Sequence, residues 1–144
     1  MKLDKQIKAV LRDPAAIAAI TKPHEATKIL AVIAWPEAIN HIAHPSDELQ
    51  LLAVKTHREA LAFIKKPSLE AQLAAVKFWP DLLAEMDQSE EFIDSAIRLN
   101  GLAVQSVQNP SEDRQYDAIR QNPAAIDCIN NPSDDLRCMA ELMK

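Results

Sequence analysis

Four histidines, two cysteines and two runs of charge are the residues of this chain whose types could carry chemistry. His41 and His44 stand three apart, with His57 further on and His24 before them. Two imidazoles at that spacing could share a metal ion with a third ligand. No cysteine or paired carboxylate completes such a set, so no metal and no cofactor are expected. Cys128 and Cys138 form neither a CxxC nor a zinc spacing and read as free thiols of a reducing compartment. A glycine-rich phosphate loop, a serine elbow and a His-Glu zinc motif are all missing. Covalent chemistry has nothing to run on, and the chain does not read as an enzyme.

Chemistry of recognition has more to work with. Trp35, His57 and Trp79 fall at one recurring position, beside Thr56, Arg58 and Phe78. Trp and Arg are the commonest hot-spot residues of protein interfaces. Two readings stand: an exposed ridge for a partner, with Trp35, His57, Arg58, Phe78 and Trp79 as contacts, or tryptophans folded back as core. Asp81, Glu85, Asp87, Glu90, Glu91 and Asp94 make an acidic stretch with no basic residue inside it. It is either a solvated surface or a face for a basic partner that imitates nucleic-acid phosphates. Binding of the second kind weakens steeply with salt. Lys55, Lys77, Arg98 and Arg120 form a basic ladder that could track a phosphate backbone. Each also closes a helix at its negative end, which explains all four without a ligand.

The elements that must position these residues are written on a ruler of 22. Pro23, Pro45, Pro67, Pro110 and Pro132 open successive repeats, while Pro14, Pro36, Pro80 and Pro123 fall thirteen residues into a repeat. Repeats start near 1, 23, 45, 67, 88 and 110, followed by a capping helix over 132–144. The ninth position is alanine throughout: Ala9, Ala31, Ala53, Ala75, Ala96, Ala118 and Ala140. A fixed period of this length marks an all-α protein, an α-solenoid of six to seven short antiparallel helix pairs within one domain, 1–144. In the third repeat Pro45 is expected at the first helical position, with Asp47 and Glu48 in the first turn and Lys55 in the last. A shorter second helix then starts near Arg58. Neither helix is stable alone, so stability must come from stacking, and the invariant alanine lets neighbours approach. Glu141 replaces the Val or Ile of the tenth position, as suits an end helix, so the array reads as complete.

Composition bounds the rest. The 144 residues are 48% hydrophobic, contain one glycine and carry a formal net charge of −5. A mildly acidic chain is not a general nucleic-acid binder. The start is charged, and the longest strongly apolar run, 29–35, is too short to span a bilayer. A soluble cytoplasmic protein with no membrane partner is expected, as a monomer or as a homodimer through the 132–144 helix.

Asn109-Pro110-Ser111-Glu112, Ala118-Ile119-Arg120, Asn122-Pro123 and Ala125-Ile126 are the clearest copy of the repeat. This pattern resembles a family of short α-helical repeats of unknown function found in bacterial and phage proteins. The resemblance implies the fold and brings no activity and no catalytic residues. The function expected from all this is a non-catalytic protein–protein interaction module. By analogy of size and resemblance it suits a phage-encoded inhibitor of a host enzyme or defence complex. The alternative is an acidic nucleic-acid mimic that blocks a nucleic-acid-binding site on its target.

Overall fold

The structure, a computed structural model, describes residues 1–86 and 89–144. Among the described residues every regular element is helical. Ten-residue α-helices run over Leu3–Arg12 (α1), Glu25–Ala34 (α2) and Asp47–Thr56 (α3). A four-residue helix, Ala60–Phe63 (α4), precedes Leu69–Phe78 (α5). Glu90–Leu99 (α6), Glu112–Gln121 (α7) and Asp134–Leu142 (α8) follow. Between them lie 3-10 helices at Pro14–Ala19, Pro36–His41, Pro80–Glu85, Gly101–Ser106 and Pro123–Cys128.

Local chemistry explains the alternation. Ser46, Ser111 and Ser133 each accept a hydrogen bond from the backbone N–H three residues on, at 3.3, 3.4 and 3.3 Å, and so cap α3, α7 and α8. Ser68 does the same for Ala71 at 3.2 Å. The prolines expected at the first helical position therefore stand two residues before it, just ahead of the serine that caps the helix. At the second helix proline does take the first position. Asp13 and Asn122 accept from Ala15 and Ala124 at 3.0 Å, and Pro14 and Pro123 follow directly. These second segments are six-residue 3-10 helices, tighter than α, as fits pieces too short to propagate an α-helix.

The chain divides into two compact units, Met1–Ala74 and Ala75–Lys144, with the division falling inside α5. In the N-terminal unit α1 packs on α2 and α2 on α3, while the 3-10 helices over 14–19 and 36–41 pack on each other and the latter on α4. Its core holds Val10, Ile17, Ala31, Val32, Ile39, Leu49, Ala53, Val54 and Ala60. In the C-terminal unit α6 packs on α7 and α7 on α8, with the three 3-10 helices in a second row. Ile93, Ile97, Val104, Ala118, Ile119, Ala125, Ile129, Leu136 and Ala140 form one core there. The ninth-position alanines are buried from Ala31 to Ala140. Gly101 replaces proline because α7 comes too close: a Cβ there would sit 2.2 Å from the Ala118 carbonyl oxygen.

A glutamine series ties four of the turns down. Gln6, Gln50, Gln72 and Gln115 each send Nε2 back to a carbonyl five residues earlier, on Met1, Pro45, Pro67 and Pro110. Arg137 makes the equivalent bond to Pro132. Gln6 and Gln50 are almost wholly buried, and their Oε1 atoms accept the backbone N–H of His24 and Ser68 at 2.9 Å. Thr27 adds its hydroxyl to Gln6 at 3.1 Å. Such amides satisfy the backbone of a tight turn that helices alone leave open.

Candidate interaction surfaces

The C-terminal ends of the α-helices carry most of the exposed apolar surface. Leu11, Ile33, Phe78, Leu99, Leu142 and Met143 lie there, six of the ten large apolar side chains exposed among the described residues. Leu11 is 67% exposed, Phe78 45% and Leu142 83%. Single exposed apolar residues are ordinary, and here six of them fall at C-terminal helix ends, with members in each unit.

The recurring position of Trp35, His57 and Trp79 sits at this same end. Asp13, Asn100 and Asn122 occupy it elsewhere, and each caps the following 3-10 helix through its side chain. Trp35 and Trp79 stand at the cap position of their 3-10 helices without making a side-chain cap bond. Giving up an Asx cap costs about 1 kcal/mol. Trp35 is half-buried and its indole stacks on the His41 ring, with centroids 5.5 Å apart and planes at 20°. It is therefore neither core nor a free-standing anchor. Trp79 and Arg58 are also half-buried, and each holds further interactions.

His57 has a scaffold task as well. Its Nε2 lies 2.7 Å from the Ile33 carbonyl oxygen, so Nε2 carries the hydrogen and donates to the last turn of α2. Asn100 donates to Lys77 in the same way at 2.9 Å, and Gln121 to Leu99 at 3.3 Å. Of the five contact residues expected from the sequence, Trp35, His57 and Arg58 belong to the N-terminal unit, Phe78 and Trp79 to the C-terminal unit.

The acidic stretch is less bare than its sequence. Arg114, on α7, sends Nε to Asp94 at 2.7 Å and its terminal nitrogen to Glu90. The hydrogen bond to Asp94 leads in raising the guanidinium pKa, helped by Glu90 and opposed by burial. Glu90 and Asp94 are thus spoken for; Asp81 is half-buried and holds a further interaction, and Glu85 and Glu91 are exposed. Asp87 lies outside the described residues. The basic ladder falls where the helix dipole favours it, with Lys55, Lys77, Arg98 and Arg120 in the last turns of α3, α5, α6 and α7.

Among the described residues no three His, Cys, Asp or Glu side chains gather as a metal group. Cys128 is half-buried, and burial first, then the Asp127 charge, pushes its thiol pKa up. No described helix is long and apolar enough to cross a membrane.

Sequence reasoning passed over two features. The glutamine series was visible as Gln at the sixth position of four repeats. The second is a division of charge. Met1–Ala74 holds ten Lys and Arg against eight Asp and Glu, a formal +2, and all four histidines. Ala75–Lys144 holds six against thirteen, a formal −7. No protein-family model, curated protein or solved structure matches the chain.

Proposed function

We propose that the chain is a solenoid of 22-residue repeats that binds a protein partner, without catalysis, through the C-terminal ends of its α-helices. The repeat reading draws on helix starts at residues 3, 25, 47, 69, 90, 112 and 134, spaced as the prolines are. Its membership in the family of short Asn-Pro-Ser repeats rests on the sequence pattern alone, and the role as an inhibitor on size and that pattern. Free thiols at Cys128 and Cys138 are compatible with a cytoplasmic setting.

The observation that carries the binding reading is the exchange of caps for tryptophans where the apolar residues are exposed. A scaffold serving only itself keeps Asp or Asn there. Trp35→Asn and Trp79→Asn restore the capping residue and remove the indole. If the indoles serve a partner, the double variant keeps its thermal midpoint within a few degrees, since a regained cap of about 1 kcal/mol offsets lost packing. Affinity capture from host lysate then loses its bound protein. A melt lowered by more than about 10 °C with capture intact makes the indoles structural and removes the reading.

The acidic-mimic reading keeps one supporting observation, the formal −7 of the C-terminal unit. Under it, neutralising Asp81, Glu85 and Glu91 abolishes capture while the tryptophan variant retains it.

A further inference from the structure

The chain-reversing turns of the N-terminal unit, where the 3-10 helix over 36–41 leads into α3, enclose a cleft of about 620 Å³. His41, His44, Lys65 and Lys66 line it, with Ile64 as an apolar wall and the buried Gln50 at its base. Among the described residues no acidic side chain lines it. None of the four cationic or imidazole side chains makes an ion pair with a described carboxylate. From this we infer that the cleft is a binding site for a small phosphate-bearing ligand, and this does not rest on the protein-partner reading.

The C-terminal unit supplies an internal comparison. A cleft of about 970 Å³ lies over Gln115, the counterpart of Gln50, and is lined by Asp81, Gln105, Gln108, Asn109 and Asn130 with no cation. The same scaffold position thus builds an amide-rich cleft with one carboxylate, Asp81, in one unit and a cationic one in the other. Backbone geometry does not demand the difference. His44 has φ 51°, in the left-handed region, where the matching Asn109 and Asn131 have φ 50° and 52°. Asparagine suits that conformation at least as well as histidine. The turn residue reads Lys22, His44 and Lys66 before α2, α3 and α5 in the N-terminal unit, and Asn109 and Asn131 before α7 and α8 in the C-terminal unit. Two ammonium groups and two imidazoles around a concavity of ligand size provide charge-assisted donors from two successive turns, as a multiply charged oxyanion requires. The apolar wall leaves room for an organic remainder on the phosphate.

The test titrates inorganic pyrophosphate into the full-length protein at low ionic strength, followed by backbone and indole N–H resonances in NMR. Binding is expected to saturate with a Kd of about 1 mM or tighter. Shifts are expected at residues 41–50 and 64–66 and at the Trp35 indole, which reports through its stack on His41. Lys65→Ala with Lys66→Ala, both exposed and so compatible with folding, should weaken binding at least about tenfold. Lys2→Ala with Lys5→Ala should leave it unchanged. The inference is overturned by shifts that do not saturate by about 10 mM, by shifts centred elsewhere, or by equal loss in both double variants. It also fails if a single-stranded oligonucleotide of about ten nucleotides binds more than about tenfold tighter than pyrophosphate, since the surface then serves a polymer.

Discussion

Met1–Ala74 and Ala75–Lys144 are assembled from the same parts and present different chemistry. Each alternates ten-residue α-helices with short second helices, buries an alanine at the ninth position and anchors turns with glutamine. Yet the first carries +2 with every histidine and the second −7. Much of the difference lies at helix ends and turns, and Lys5, Lys8 and Lys28 against Asp94 and Asp117 add to it within the helices. The glutamines also differ. Gln50 is 6% exposed and bonded at both ends of its amide, whereas Gln115 is half-buried with one bond, to Pro110 at 2.8 Å.

The sharpest way to break the likeness is Ala53→Leu against Ala118→Leu. Both alanines are fully buried, and added bulk at a close helix contact costs about 1–3 kcal/mol or more. Denaturant unfolding should show similar losses in the two variants. A loss confined to one would mean that the alanines answer to different contacts. Next in size, Gln50→Leu strands the Ser68 N–H and is expected to cost about 2 kcal/mol, whereas Gln115→Leu costs about 1 kcal/mol. Equal melting shifts for the two would erase that distinction. The smallest effect belongs to Arg114→Met. It removes the partner of Glu90 and Asp94 and takes the C-terminal unit to a formal −8. The destabilisation should stay below about 1 kcal/mol and shrink as salt is added, because the carboxylates are partly solvated. A loss indifferent to salt would make Arg114 a packing residue.

Much of the helical layout was legible because the repeats serve as their own alignment. Proline spacing marked the turns, and the invariant alanine marked the burial that Ala53, Ala96 and Ala118 display. What escaped was any feature set by a partner distant along the chain. Ser46 outcompetes Pro45 for the helix start because its hydroxyl reaches Leu49, which proline spacing alone does not reveal. The acidic stretch looked unopposed because Arg114 stands twenty residues beyond Asp94. His57 looked like a surface group until its bond to Ile33, on the preceding helix, placed its ring. The cleft between His44 and Lys66 needs two turns brought side by side, and a linear reading weighs each turn alone.

The turn glutamines have a consequence for how the chain opens. The backbone N–H groups of His24, Ser68 and Gly101 lie outside the α-helices, yet each is held by a side-chain amide, on Gln6, Gln50 and Gln121, 18 to 20 residues away. Such a hydrogen is released when its turn parts from the glutamine that holds it, whether or not the helix interiors melt. Hydrogen exchange at these three amides therefore clocks the separation of segments 18 to 20 residues apart, while exchange within the helices clocks their melting.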